Sequence, residues 1–424
     1  MRRSTTAILH YTAPPIIGGV EAVIQAHAQT LTQLGYPVTV IAGRGEAEAL
    51  PSGTTFTLIP EIGSQQSQVA QMNASLEQGQ VPDNFQHMTQ QLEKRLAPVL
   101  RQFENVIVHN IFTKHFNLPL TAALHHLLDN GDIHHCIAWC HDFTWTSPHS
   151  RSKVHPGYPW DLLRTQHPDV TYVVVSQRRQ RTLAGLLGCP KENIRVVYNG
   201  VDPRTLLGLS AEGYELVNRL GLLESDLILL MPVRVTQAKN IEYALQVVAA
   251  LKARGGHPKL VVTGPPDPHD EKSMAYLKSL QALREELDVE AEMRFVFESG
   301  PDPDESFTID IAMVGELFRV SDLTFMPSHR EGFGMPVLEA GLVGQPVFCT
   351  NIPAAEEIGA QDVTIFDAGL PPEELAAQID AWAQASPEHR MRRRIRKNYT
   401  WQAIFEQSIR PLLKKRSTNH VASA

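Results

Sequence analysis

No apolar run in the 424 residues approaches the roughly 18 consecutive positions that a membrane span requires, so no transmembrane segment is expected. Cysteine is scarce as well, and the four present, Cys136, Cys140, Cys189 and Cys349, have a spacing that builds no disulfide framework. The neighbourhood of His134, His135, Cys136, Cys140 and His141 holds metal-ligand residue types, but Cys136 to Cys140 reads as a buried strand whose side chains alternate between faces. Such ligands diverge, and no metal site is expected. Before His10 and the pair Pro14-Pro15 the only apolar stretch is Ala7-Ile8-Leu9, too short for the apolar core of a secretory signal, so the expected location is the cytoplasm. An excess of positive charge is missing too. The net charge of −8 repels a polyanion and argues against a nucleic-acid partner. One local exception runs through Arg390, Arg392, Arg393, Arg394, Arg396 and Lys397 to Lys414, Lys415 and Arg416. It reads as a solvated helix face, or as a surface that touches anionic lipid at the inner membrane face or a phosphorylated acceptor.

What is present fits a folded, two-domain chain. Hydrophobic residues make up 43% and charged residues 20%, and the length exceeds what one core usually holds, which points to two domains of about 200 residues. Short apolar runs recur between helical-period segments, as in parallel sheets built from strand-helix-strand units. In the first half they fall at 6–10, 38–42, 56–59, 105–109, 137–139, 172–175 and 194–197; in the second at 227–231, 260–263, 294–297, 323–326, 347–349 and 363–366. The series starts over after the turn Asn199-Gly200-Val201-Asp202, so two doubly wound domains are expected to join near residue 205 and to hold ligand in a central cleft. The Gln-rich stretch 65–91 has weak periodicity and reads as an irregular insertion, a lid or a plain surface loop.

Three loops that follow strands carry the chemistry. Ser328-His329-Arg330-Glu331-Gly332-Phe333-Gly334-Met335-Pro336 leads into a helix that includes Glu339. Pro336 suits a first helical turn, so Gly332, Phe333, Gly334 and Met335 approach a helix amino end, which attracts phosphate. Glu331 and Glu339 flank that end and can accept hydrogen bonds from hydroxyls. By itself a glycine-rich turn of this kind equally suits plain helix capping. In Arg234-Val235-Thr236-Gln237-Ala238-Lys239 two cations five apart follow the strand 227–231, where both can reach one diphosphate or stand as solvated charges. The third loop is Pro14-Pro15-Ile16-Ile17-Gly18-Gly19-Val20-Glu21, whose glycines permit close backbone approach or simply close a tight turn.

The pair Glu331 and Glu339, eight apart around Gly-Phe-Gly-Met-Pro, resembles the Glu-x7-Glu signature of the retaining glycosyltransferases of family 4, and Arg234 with Lys239 resembles the Arg-x4-Lys pair of the same family. The likeness spans nearly the whole chain. It implies an α/β GT-B fold of two Rossmann-like domains: an acceptor-binding domain over 1–204, a nucleotide-sugar-binding domain over 205–392, and a C-terminal helix over 393–424 that crosses back to the first domain. The activity it implies is retaining, metal-independent transfer of a hexose, glucose or mannose, from a UDP- or GDP-sugar to a hydroxyl of a small molecule, saccharide or lipid, with no cofactor. Catalysis would fall to Arg234, Lys239, Glu331 and His141, and donor binding to these first three with Gly18, Gly19, Gly264, Gly332, Phe333, Gly334, Met335 and Glu339. Acceptor contacts would come from His109, Asn110, Lys114, His141 and Asp142, although His141 equally reads as a structural histidine. Ser176 and Arg178, and Asn351, Pro353 and Glu356, are weaker positions, and Trp401 reads as a packing anchor. A sugar-nucleotide epimerase of the same fold and a noncatalytic nucleotide-sugar-binding protein are the rival readings. The sequence leaves the oligomeric state open.

Overall fold

The apolar runs become strands covered on both faces. In a computed structural model, which describes residues 3–302, 305–353 and 355–413, the first sheet comprises β1 (Thr6–His10), β2 (Val38–Ala42), β3 (Thr54–Leu58), β4 (Asn105–His109), β5 (Cys136–Cys140), β6 (Val170–Val174) and β7 (Ile194–Val196). The second comprises β8 (Leu227–Met231), β9 (Pro258–Val262), β10 (Met293–Phe295), β11 (Leu323–Met326), β12 (Val347–Thr350) and β13 (Thr364–Phe366). Their orders are β3-β2-β1-β4-β5-β6-β7 and β10-β9-β8-β11-β12-β13. All neighbours run parallel; Ile8, for example, lies between Val40 and Ile107. Successive side chains enter opposite layers, with Leu229 and Met231 in one core of the second sheet and Ile228 and Leu230 in the other.

In each sheet the order reverses once, between β1 and β4 and between β8 and β11. At such a reversal the loops leaving the two strands part and open a crevice at their carboxyl ends. Both sheets are thus Rossmann-like and doubly wound, and the chemistry-bearing loops follow these central strands.

The chain divides into two compact units, residues up to Gly200 together with those from Trp401 on, and Val201–Thr400. The helix Pro387–Asn398 stays with the second unit, held by Arg396, which donates to both carboxylate oxygens of Asp322 at 3.1 and 2.9 Å. Burial alone would raise the Asp322 carboxyl, but Arg396, His389 and Arg392 outweigh it and hold it down to about 2. After Thr400 the chain returns to the first unit, where Ile404, Phe405, Ile409 and Leu413 join the core beneath β1 and β2. Trp401 meets His27 edge to face at 5.3 Å between ring centroids, the packing role its sequence context suggests.

The Gln-rich stretch is not a loop. It forms most of two helices, Ser67–Glu77 and Phe85–Leu100. Val69, Met72 and Leu76 recur at helical spacing and are buried with Trp145, Val154 and Trp160, while the glutamines occupy the remaining positions. Three apolar residues in eleven are enough to dock a helix, but too few to stand out as a periodic signal.

Candidate functional site

Each unit gathers its own set of functional side chains at its sheet reversal. In the second unit, chain leaving β8 alternates buried Val233, exposed Arg234 and buried Val235, so the two valines anchor the loop and turn the arginine outward. Gly264, after β9, donates its N–H to Val233 O at 2.9 Å, and a Cβ there would lie 2.8 Å from Arg234 Cα. Gly264 therefore seats the backbone of Arg234. A short turn, Gln237–Lys239, then ends on Asn240 in the left-handed region, φ 51°, before the helix Ile241–Ala253.

Lys239 crosses the reversal to Glu331. Its ammonium donates to both carboxylate oxygens at 2.7 and 2.6 Å, Ser328 Oγ donates to Oε1 at 2.7 Å, and His329 N binds Ala238 O at 2.9 Å, closing the loops after β8 and β11 against each other. The pair is largely buried, with side-chain exposures of 20% for Lys239 and 7% for Glu331. An ammonium has three N–H groups and a carboxylate about four acceptor sites, so one donor and one acceptor remain to spend. Arg234 and Glu339 make no side-chain hydrogen bond or ion pair among the described residues. Beside them the helix Met335–Leu342 starts at Gly334, φ 82°, with Pro336 in its first turn and no side chain capping it. That leaves the Met335 N–H and the positive end of the helix open to an anion. Gly332 is exposed with open space about it, and Phe333 and Met335 stand out at 58% and 52% exposure.

In the first unit the reversal joins β1 to β4. His10 donates from Nδ1 to His109 O at 2.9 Å, since a carbonyl can only accept, and its Nε2 lies 4.0 Å from Glu21. Thr12 donates to the same Glu21 oxygen. A Cβ at residue 18 would overlap the Glu21 carboxylate where it now lies, so Gly18 leaves room for that side chain, while its own backbone angle is extended and open to any residue. A Cβ at Gly19 would meet nothing within 4 Å. His10, Glu21 and Thr12 were not expected in the site; Glu21 belongs to the quoted loop, but its sequence gives no sign that it turns back toward His10.

His109 and Asn110 correct the expected acceptor contacts. His109 is fully buried and meets His141 edge to edge, and Asn110, φ 61°, spends its Oδ1 accepting from His141 N and Asp142 N at 2.8 and 3.2 Å. They shape the loop that carries His141 and do not themselves face outward. Asp142 pairs with Arg179 at 2.7 Å. Ser176 caps its helix, accepting from Arg179 N at 3.2 Å, so the neighbour Arg179 and not Arg178 is the residue brought to this loop. Lys114 lies 4.8 Å over the Phe116 ring and forms no ion pair among the described residues; burial above all, then Arg179 and Lys153 against Asp142, lowers its pKa.

The basic run is largely spent inside the second unit. Arg393 and Lys397 reach Asp226, Arg392 and Arg396 approach Asp322, and Arg390 binds Gln384 O and Ala385 O. Lys414, Lys415 and Arg416 lie outside the described residues. Among the described residues no helix is long and apolar enough to cross a membrane.

Residues 17–205 match the family profile described as Glycosyltransferase Family 4, and residues 215–400 the one described as Glycosyl transferases group 1. The chain is 24% identical over 267 residues to the mannosylglucosylglycerate synthase of Petrotoga mobilis, covering 58% of this chain and 59% of that protein. It thus spans about three-fifths of that relative's length. The enzyme of the same name from Thermotoga maritima is 24% identical over 372 residues, 80% of this chain and 79% of that one. The D-inositol 3-phosphate glycosyltransferase of Acidothermus cellulolyticus is 28% identical over 178 residues, 41% of this chain and 36% of its own length.

Proposed function

Because this chain belongs to the group 1 glycosyltransferases of family 4, we propose that it moves a hexose, glucose or mannose, from a UDP- or GDP-sugar to an acceptor hydroxyl, with retention and without a metal ion. One observation carries the reading: a guanidinium on Arg234 without a partner among the described residues, the spare N–H of Lys239 and a helix amino end with no side-chain cap among them belong to neighbouring loops of one sheet reversal. Together they suit a diphosphate and the charge that grows on it as the glycosidic bond breaks. Glu331 would orient hydroxyls of the transferred sugar with its remaining acceptor site, and Glu339 the ribose. Gly332, Phe333, Gly334 and Met335 would line the phosphates, and His141 would reach the sugar. No carboxylate of the first unit is assigned as a nucleophile. The incoming hydroxyl would therefore bond to the anomeric carbon on the face that the nucleotide leaves, its proton passing to the departing phosphate oxygen.

The relatives' names, a glycerate and an inositol phosphate, support a small acceptor that bears an anionic group. Lys114, an ammonium without a carboxylate partner among the described residues, is the residue suited to hold it.

A thermal-shift panel of UDP-, GDP- and ADP-sugars in EDTA tests the donor assignment. One base should stand out, since a ligand at a hundredfold its Kd adds about 2.7 kcal/mol to folding, and the product should keep the donor's anomeric configuration. No stabilisation by any sugar nucleotide, or an inverted product, would sink it. Gly264→Val should displace Arg234 and raise the donor Kd about tenfold, roughly 1.4 kcal/mol, which calorimetric titration measures; unchanged affinity in the folded variant would remove Arg234 from the donor site.

A further inference from the structure

His141 has two ring nitrogens, and the fold engages one of them. Its Nε2 lies 3.1 Å from Nδ1 of His109, with the ring centroids 5.4 Å apart and the planes within 18°, so the rings meet edge to edge and nearly coplanar. His141 retains some exposure and His109 none. The nitrogen of His141 left to meet a ligand is therefore Nδ1. Whether Nδ1 donates or accepts depends on which histidine supplies the proton of the bond between them.

Suppose His141 donates through Nε2–H. His109 must then carry its own proton on Nε2, which is buried and has no partner among the described residues. Around it lie Trp139, whose donor-only Nε1–H is also buried and unpartnered, and His27, neither of whose nitrogens has a partner. The His27 ring centroid is 5.5 Å from that of His109 and 4.5 Å from that of Trp139. This arrangement adds another orphaned N–H to a pocket that already holds such donors, and a buried donor without a partner is costly. If His109 donates through Nδ1–H instead, its Nε2 is a bare acceptor, and the unpartnered nitrogens of Trp139, His27 and His109 then comprise two donors and two acceptors in place of three donors and one. Burial keeps each ring to a single proton: it lowers His27 to about 3 and His141 to about 4, and holds His109 well below its ordinary value.

We propose that His109 is the positioning residue that fixes His141 as its Nδ1–H tautomer, so that His141 offers the ligand a hydrogen-bond donor and not a proton acceptor. The inference rests on the reading above, in which His141 faces the transferred sugar. It assigns His141 a bond to a sugar hydroxyl oxygen and removes it as the base for the acceptor. The acceptor's proton then passes, as in the reading above, to the departing phosphate oxygen and not to this ring.

Nitrogen-15 spectra of the histidine-labelled chain at pH 7.5, with His141 assigned by its loss in His141→Asn, read the tautomer directly. Wild type should show His141 protonated on Nδ1. His109→Leu should release it to the Nε2–H form that a free imidazole favours. His109→Asn, whose amide can replace the lost donor, should hold it on Nδ1. In transfer assays His109→Leu should lower kcat about tenfold with donor KM within twofold, and His109→Asn should recover most of it. A wild-type His141 protonated on Nε2 overturns the proposal, as does a folded His109→Leu whose tautomer is unmoved. The spectra need no substrate, so the tautomer assignment stands or falls apart from the transferase reading, which the donor panel decides.

Discussion

Lys239→Ala is expected to lower kcat at saturating donor by about two to three orders of magnitude, the usual cost of removing one group aimed at charge that develops in the transition state. The structure adds a complication, because Lys239 is also the counter-ion of a nearly buried Glu331. Removing it leaves that carboxylate with Ser328 alone, and an unpaired buried charge is itself costly. A double variant separates the two effects. If Lys239 serves only to neutralise Glu331, Lys239→Ala combined with Glu331→Gln should regain the turnover of Glu331→Gln alone, the reference against which the double variant is read. If Lys239 holds the leaving diphosphate, the double variant stays inactive although its melting temperature recovers. Recovery of activity in the double variant would strip Lys239 of its catalytic role.

Acid should unfold the first unit well before the second. Burial holds His27 to about 3 and His115, His125 and His141 to about 4, and it lowers His10 as well. For a group whose folded pKa is depressed, stability is fully present above the unfolded value, near 6.5, and is lost as pH falls through the window toward the folded value. Between pH 7 and 5 each of the four held to about 3 or 4 costs about 2 kcal/mol. Several together approach the whole stability of a typical domain. The second unit's main buried ion pair behaves otherwise: Asp322, held to about 2, loses its contribution only as pH falls below the ordinary aspartate range. Tryptophan fluorescence reports the difference, because Trp139, Trp145, Trp160 and Trp401 lie in the first unit and Trp382 in the second. Melting followed by that signal should drop steeply from pH 7 to 5, and His27→Phe should flatten the slope by one proton's share. A melting temperature unchanged across that range would contradict the neutral, buried state of these rings.

The central strands were the most legible part of the sequence. β1, β2, β4, β8 and β11 begin and end where their apolar runs do, because strands covered on both faces read as nearly continuous apolar runs. At the other strands the bounds move by a residue or two, as in β3, where Thr54 and Thr55 extend the run. The first Gln-rich helix escaped because it docks by three apolar residues on a mostly polar surface, and the second because Leu92, Leu96 and Leu100, which complete the spacing begun at Phe85 and Met88, lie beyond the 65–91 stretch. The strand ends misled differently. His109 closes a run in which both faces are buried, so alternation cannot tell a histidine that meets ligand from one that only supports another side chain.

By itself the sequence determined the fold class and which candidate residues share a loop, since each of these is written locally: apolar runs set strands, glycine and proline set the helix amino end, and Arg234 and Lys239 share one loop. What only the tertiary structure decided is which groups are already engaged. Lys239 finds Glu331 across 92 residues, His109 finds His141 across 32, and Gly18 makes room for Glu21 where its own backbone angle makes no demand. Hydrogen bonds, desolvation and steric room depend on distance in space, and the parallel crossovers bring together at each sheet reversal loops that the chain order keeps far apart.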